Sequence, residues 1–368
     1  MEIKNLIVGA GLSGLVLAER LANIKKEQVL IIDKRDHIGG NIYDYEDKGI
    51  FVHKYGTHIF HTNNENVWRY LNQFTRFYPY MHRVKAMVDG KLISVPFNLK
   101  SLKECFPEFI YKNLERELLS SYKYGERISI LDMYNKTNLK FLCDFIYEKI
   151  FYHYTLKQWQ CEPQDLDASV FQRVPVNISL DDRYFTDRFQ GIPMQGYTAM
   201  CKKMLENDLI TVRLNTTFND IRDNVKFERL FFCGAIDEFF DYKYGYLPYR
   251  SLEFDFVCFE KEYFQENSVI NYPNNYTYTR IGEYKYFLDQ KTKHTIVSFE
   301  YPKTWESLND ERYYPIPNQK TEELYKKYLN DAKKLKNTYF IGRLGEYKYY
   351  DMDKVVANAL ALYESISR

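Results

Sequence analysis

The chain has 368 residues, 45% of them hydrophobic, enough to bury a large core and to divide into two or three domains. Its 51 basic and 50 acidic residues nearly cancel to a formal +1, which excludes a global field that would single out nucleic acid or an anionic membrane as partner. Any anion must be held by local groups.

Cys105, Cys143, Cys161, Cys201, Cys233 and Cys258 show neither CxxC spacing nor a compact framework, so reduced structural thiols are expected rather than disulfides or zinc. No run approaches the roughly 18 to 20 apolar residues of a membrane span. The N-terminus also lacks the pattern of a secretory signal, so a soluble cytoplasmic protein is expected. The 35 tyrosines crowd into residues 122–154, 242–286 and 313–350. Such a distribution suits either a Lys/Tyr/Asn composition bias or a polar cleft lined by phenols.

In chain order, the first strong signal is "IKNLIVGAGLSGLVLAERLAN". An apolar run over 3–8 is followed by Leu15, Ala18, Leu21 and Ala22 at helical spacing, which sets Gly9, Gly11 and Gly14 between a strand and a helix. In that context GxGxxG is a dinucleotide fingerprint. Gly9 permits the tight turn, Gly11 lets a pyrophosphate approach the backbone, and Gly14 lets the helix pack on the sheet. A second apolar run, "QVLIID", ends at Asp33, where a carboxylate can accept hydrogen bonds from an adenosine ribose. "KRDHIGGN" then supplies Gly39 and Gly40, a second glycine turn that NAD domains do not need. It resembles the second glycine motif of flavoproteins of the glutathione-reductase and amine-oxidase type, which passes close to FAD.

"FVHKYGTHIFHT" places three histidines within nine residues, but Gly56, Thr57, Ile59 and Phe60 favour a loop or short strand. No carboxylate or cysteine completes a ligand set, so no metal is expected. Residues 99–150 carry apolar positions at helical spacing and predict a helical insertion. "YRSLEFDFVCFE", "SVINYP" and "HTIVSFEYP" predict antiparallel strands, while "ERLFFCG" and "NTYFIG" read as strands returning to the nucleotide domain.

Chemistry gathers in residues 150–200, where Tyr154, Trp159, Arg173 and Tyr184 combine aromatic faces, phenol donors and a guanidinium. Arg280 and Tyr314 follow in later segments. Two arginines from separate segments could neutralise a diphosphate of about two charges. Taken singly, each arginine suits an ordinary salt bridge and Trp159 a core. The chain closes with "GRLGEYKYYDMDKVVA", whose Gly342 and Gly345 shape a turn before a final helix capped by Asp351 or Asp353.

The ordered set GxGxxG, "IGGN", "HIFHT", "YTLKQW", "QRVPV", "RYFTDRFQGIPMQGYT", "VINY", "YTRIGEYK", "YYPIP" and "GRLGEYKYYDMDKVV" resembles the prokaryotic UDP-galactopyranose mutases over nearly the whole chain. The resemblance implies a mixed α/β fold: a Rossmann-like FAD-binding domain (1–75, 190–240 and 325–368), a helical domain with a mobile substrate lid (99–160), and an antiparallel sheet domain (76–98, 161–189 and 241–324). It implies a flavoenzyme that interconverts UDP-galactopyranose and UDP-galactofuranose without net redox change, the N5 of reduced FAD attacking the anomeric carbon.

By the same resemblance, Arg173 and Arg280 clamp the diphosphate, helped by Tyr184, Tyr314, Tyr349 and Asn271. Tyr154 and Trp159 belong to the lid, and His58 and His61 meet the isoalloxazine, with His61 near N5. Gly9, Ala10, Gly11, Leu12, Ser13 and Gly14 form the FAD phosphate loop, and Asp33, Lys34, Gly40, Asn41 and Ile59 flank it. Thr217 and Phe218 occupy a strand passing the adenosine; Arg343 approaches the flavin, and Tyr350, Asp351, Met352 and Val355 run along the cofactor. The implied partners are a UDP-sugar and an external electron donor such as NAD(P)H; family members are often homodimers.

Two positions depart from the family pattern. Gln160 stands where glycine usually follows the motif tryptophan, and Asn177 where arginine is common. A 2-acetamido substrate, UDP-N-acetylgalactopyranose, is therefore an alternative within the family. A flavin oxidoreductase is the alternative outside it, though that reading explains neither arginine nor the tyrosine set. A nucleotide-sugar binding protein without turnover would keep the arginines but not hold reduced flavin.

Overall fold

The computed structural model describes residues 2–160, 175–308, 310–316 and 318–367. Five strands form a parallel sheet in the order Ile210–Arg213, Val29–Ile32, Glu2–Val8, Lys226–Phe232, Thr338–Phe340. Val29–Ile32 is buried at every position, as expected for a strand covered on both faces. On one face, helices Leu12–Asn23 and Met352–Ser365 pack together. The other buries Ile3, Leu6, Leu30, Ile32 and Leu230 against Ile221 and Val225. The chain thus leaves this sheet and returns to it twice, and long excursions build the rest of the molecule.

One excursion is helical: Leu99–Cys105, Glu108–Ser121 and Lys140–Ile146, then a π-helical turn Tyr147–Tyr152 running into His153–Trp159. Asn98 starts this block with a capping box, its side chain accepting from the Lys100 and Ser101 amides. Strands from both excursions form a seven-stranded sheet in the order Tyr314–Pro315, Tyr249–Phe259, Thr295–Thr304, Arg280–Glu283, Val269–Asn271, Val84–Val88, Lys91–Val95. It is not wholly antiparallel, because Val269–Asn271 pairs with Val84–Val88 in parallel. Those two strands are separated by the helical block, and a long connection permits either direction where a tight turn does not.

A small sheet places Phe60–Thr62 beside Phe189–Pro193, with His61 opposite Gln190. Among the described residues, no helix is long and apolar enough to cross a membrane, and no group of His, Cys, Asp or Glu is arranged to hold a metal ion.

Candidate functional site

A continuous cavity of about 820 Å³ lies between the parallel sheet, the seven-stranded sheet and helix His153–Trp159. It sits beyond the carboxyl ends of the parallel strands, where ligands bind in open α/β sheets. At its floor, Gly9 turns the chain at φ +110°, and a Cβ on Gly14 would lie 2.0 Å from the Gly9 carbonyl. Both glycines are therefore demanded by the fold itself. Gly11 is different: its φ is −81°, and a Cβ there would meet only Gly40 Cα, at 3.8 Å. Nothing in the protein requires glycine at 11, so the requirement points to a ligand approaching the backbone. Helix Leu12–Asn23 begins here with no side-chain cap and no acid in its first turn, leaving its N–H groups and positive dipole end for an anion. The second glycine turn packs onto the first, Gly39 N–H donating to the Ala10 carbonyl at 2.8 Å.

Asp33, at the end of Val29–Ile32, accepts from the amides of Ala10 (2.8 Å) and Arg35 (2.9 Å). Each oxygen keeps a lone pair for a hydroxyl. Arg35 pairs with Glu311, stacks on Tyr55 with its guanidinium 4.3 Å from the ring centroid, and donates to Asn41 Oδ1 at 2.9 Å. Thr217 and Phe218 lie at this end but not on a strand. Thr217 caps the short helix Phe218–Ile221 through a capping box with Asp220, so its hydroxyl is engaged locally.

The opposite end is a guanidinium among phenols. Arg280 donates from Nε to Asn271 Oδ1 (3.2 Å) and from Nη2 to the Tyr154 hydroxyl (3.2 Å), and its Nη1 lies 3.8 Å from Glu300 Oε2. Burial alone would lower its pKa, but the pull of Tyr154 and Glu300 outweighs this and keeps it charged. Burial pushes Tyr184 up to about 12 and raises Tyr154 and Tyr314, so these phenols stay neutral and able to donate. Tyr314 and Tyr349 rings lie 5.1 Å apart, with the Arg343 guanidinium 5.5 and 5.0 Å from their centroids. Arg343 donates to the Tyr313 carbonyl at 2.9 Å, while its Nε is buried without a partner among the described residues. Trp159 approaches Tyr314 at 6.3 Å.

Two histidines sit between the ends. His58 is held neutral, its pKa lowered to about 3 by burial with His53 adding to the effect. Its Nδ1 faces the Gly56 carbonyl at 2.8 Å; a carbonyl only accepts, so the proton is on Nδ1 and Nε2 carries a lone pair. His61 stacks on Phe185 at 3.6 Å and places Nδ1 2.9 Å from Asp187 Oδ2.

The cavity lining contains every site residue expected from the sequence except three. Ala10 and Gly14 are packed beneath the loop, and Arg173 lies outside the described residues. At the final helix the expected cap is absent: Asp351 has the N-cap backbone but makes no side-chain cap bond, and Asp353 instead accepts from Thr62 Oγ1 at 2.9 Å. Asp353 therefore ties the final helix to the histidine strand. Gly342 earns its place by close approach, because a Cβ there would lie 2.7 Å from Ser13 Oγ.

Sequence reasoning missed His82 and Gln158. Both are buried, line the cavity, and carry an atom (Nδ1 and Oε1) with no partner among the described residues. Burial, with Arg280 nearby, lowers the His82 pKa to about 3. Gln158 had a signal, since it follows Tyr154 at i+4 on one helix face; His82 had none.

Fold and cavity together define a Rossmann-type dinucleotide-binding enzyme with a second, arginine- and phenol-lined end. The profile of NAD(P)-binding Rossmann-like domains matches residues 7–74, and that of UDP-galactopyranose mutase matches residues 149–349. The chain is 41% identical over 365 residues to a probable UDP-galactopyranose mutase of Klebsiella pneumoniae, covering 98% of this chain and 94% of the relative. It is 38% identical to a dTDP-fucopyranose mutase of Escherichia coli, covering 97% and 96%. A crystal structure of reduced UDP-galactopyranose mutase shares the fold, with a TM-score of 0.76 at 13% identity over 100% of this chain and 94% of that one. The chain belongs to the UDP-galactopyranose mutase family, and is an isomerase.

Proposed function

We propose that the enzyme interconverts the pyranose and furanose forms of a nucleoside diphosphate sugar, UDP-galactose above all, with FAD as cofactor in its reduced state. The observation that carries this is one cavity holding both a dinucleotide cradle and the Arg280 cluster. FAD fits the residues present: Gly11 leaves room beside the backbone, the helix end Leu12–Ser13 would hold the phosphates, Asp33 would take the ribose, and Arg343 Nε supplies an unmatched donor. Reduced flavin, when bound, supplies a nucleophile toward the anomeric carbon and is regenerated without net oxidation.

The side chains do the rest. Arg280 opposes the charge that grows on the diphosphate as it leaves, and the neutral phenols of Tyr184 and Tyr314 donate to the same oxygens. Tyr349, Asn271 and, by resemblance, Arg173 complete that grip. The lone pair on His58 Nε2 would accept a hydrogen bond from a ligand in the cavity that His58 and His61 both line. Helix His153–Trp159 closes over the sugar and excludes water. The electrons for the reduced state would come from an external NAD(P)H-type donor.

Of the two relatives, one is named for UDP-galactopyranose and the other for dTDP-fucopyranose, so base and sugar are tested together. Flavin released by heat is identified by chromatography. The dithionite-reduced protein is then given UDP-galactofuranose, dTDP-fucofuranose and the 2-acetamido analogue of the first. FAD and preferred turnover of UDP-galactofuranose are expected. Preference for either other sugar would reassign the substrate, and reduction of the flavin when the oxidised protein is given the same sugars, without ring conversion, would replace the mutase by an oxidoreductase.

A further inference from the structure

Lys157 stands outside the cavity, on the helix that covers it. Its ammonium donates to four backbone carbonyls, those of Tyr272, Asn274, Tyr276 and Tyr278, the last three at 3.1 Å each. These are alternate residues of one loop, and three N–H protons are shared among four oxygens. Among the described residues no carboxylate pairs with Lys157, so the backbone alone holds its charge. The loop joins strands Val269–Asn271 and Arg280–Glu283, and the residues flanking it are paired in register: Asn271 opposite Arg280.

The carbonyl ring is thus the turn of the hairpin that presents Arg280. One helical turn before Lys157, on the same face, Tyr154 meets Arg280 at 3.2 Å. The far end of the helix is fastened too. Gln160, at φ +52°, ends the helix in the left-handed conformation that the family's glycine favours, and its Oε1 accepts from Arg250 Nη1 at 2.8 Å and from Thr304 Oγ1. Arg250 also donates to the Gln158 carbonyl at 2.9 Å. The helix's near end follows the π-helical turn Tyr147–Tyr152, a register that often marks functional sites.

We infer that Lys157 is a positioning residue that latches the covering helix to the Arg280 hairpin, so that a nucleoside diphosphate bound at Arg280 and the helix above it are held as one unit. This rests on the reading of Arg280 as the diphosphate site. Burial pulls the Lys157 pKa down to about 8, a direction the four carbonyls oppose, so the latch is charged at neutral pH.

The test uses the flavin-loaded full chain and UDP as probe. Lys157→Met keeps the stem and removes the ammonium. The Kd for UDP, read by intrinsic fluorescence, is expected to rise about tenfold, with KM rising in parallel and kcat changing less. In the double variant with Tyr154→Phe the fold-losses should not multiply, because both residues hold the same helix to the same hairpin. An unchanged Kd and KM, or fully multiplying losses, would overturn the latch. Hydrogen exchange on the wild type gives a second reading that needs no variant. UDP should protect residues 153–160 and 272–280 together, and protection of the hairpin alone would overturn the inference. A wild type that binds no UDP would instead overturn the nucleotide-sugar reading, and the latch with it.

Discussion

Gly11 and Gly14 look equivalent in the sequence and differ in the structure. A Cβ on Gly14 collides with backbone at 2.0 Å, whereas one on Gly11 meets nothing nearer than 3.8 Å. Gly11→Ala is therefore expected to leave the fold intact, by far-UV circular dichroism, while the absorbance ratio of flavin to protein falls severalfold. Gly14→Ala is expected to yield little folded protein. Arg280→Ala should lower kcat/KM by about 100-fold or more, a few kcal/mol of lost transition-state stabilisation, with bound flavin retained. Loss of flavin in that variant would make Arg280 structural. The glycines were legible in the sequence because their spacing is dictated by a local turn. His82 and the carbonyl ring around Lys157 were not, because their partners are 100 or more residues away in most cases and only tertiary packing brings them together.

Among elements, the turn before the final helix shows how local pattern and tertiary demand diverge. Its two aspartates suggested a capped helix, since acids at a helix start commonly cap. In the fold Asp353 is taken by Thr62, and the turn that leaves the last strand, upstream of the helix, is shaped by Gly342, at φ +84° against Ser13. Gly342→Ala combines that φ with a close contact, and strain of about 1–3 kcal/mol is expected. A melting temperature lowered by several degrees, together with weaker flavin retention, would check it; an unchanged value for both would show that the turn relaxes freely. Strand direction was likewise half legible. Runs rich in Val, Ile, Tyr, Phe and Thr indicated strands in "YRSLEFDFVCFE" and "HTIVSFEYP", and the structure forms Tyr249–Phe259 and Thr295–Thr304 there, but no local feature announced that Val269–Asn271 would run parallel to Val84–Val88. That pairing depends on a connection through the whole helical block.

For the molecule as a whole, buried histidines predict a pH dependence. His53 is 1% exposed and His82 5%, and burial lowers both pKa values to about 3. In the unfolded chain they titrate near 6.5, so below that pH the unfolded state binds more protons and is favoured. Their contribution is complete above about pH 6.5 and is lost as pH falls toward 3, by up to about 1.4 kcal/mol per pH unit for each group. Asp44 and Asp237, raised by burial, act in the opposite sense in acid and reduce the net slope. The denaturant midpoint should therefore be lower at pH 5.5 than at pH 7.5; a midpoint independent of pH would contradict this burial.

The central claim is that one cavity holds a dinucleotide cofactor and a nucleotide sugar side by side and changes the ring size of the sugar. The direct measurement is chromatography of UDP-galactofuranose after incubation with the purified protein, with and without dithionite. Conversion to UDP-galactopyranose that depends on reductant and leaves the flavin reduced at the end is expected. Conversion that ignores the flavin's redox state, or tight binding of the sugar nucleotide to the reduced protein with no pyranose formed, would contradict it.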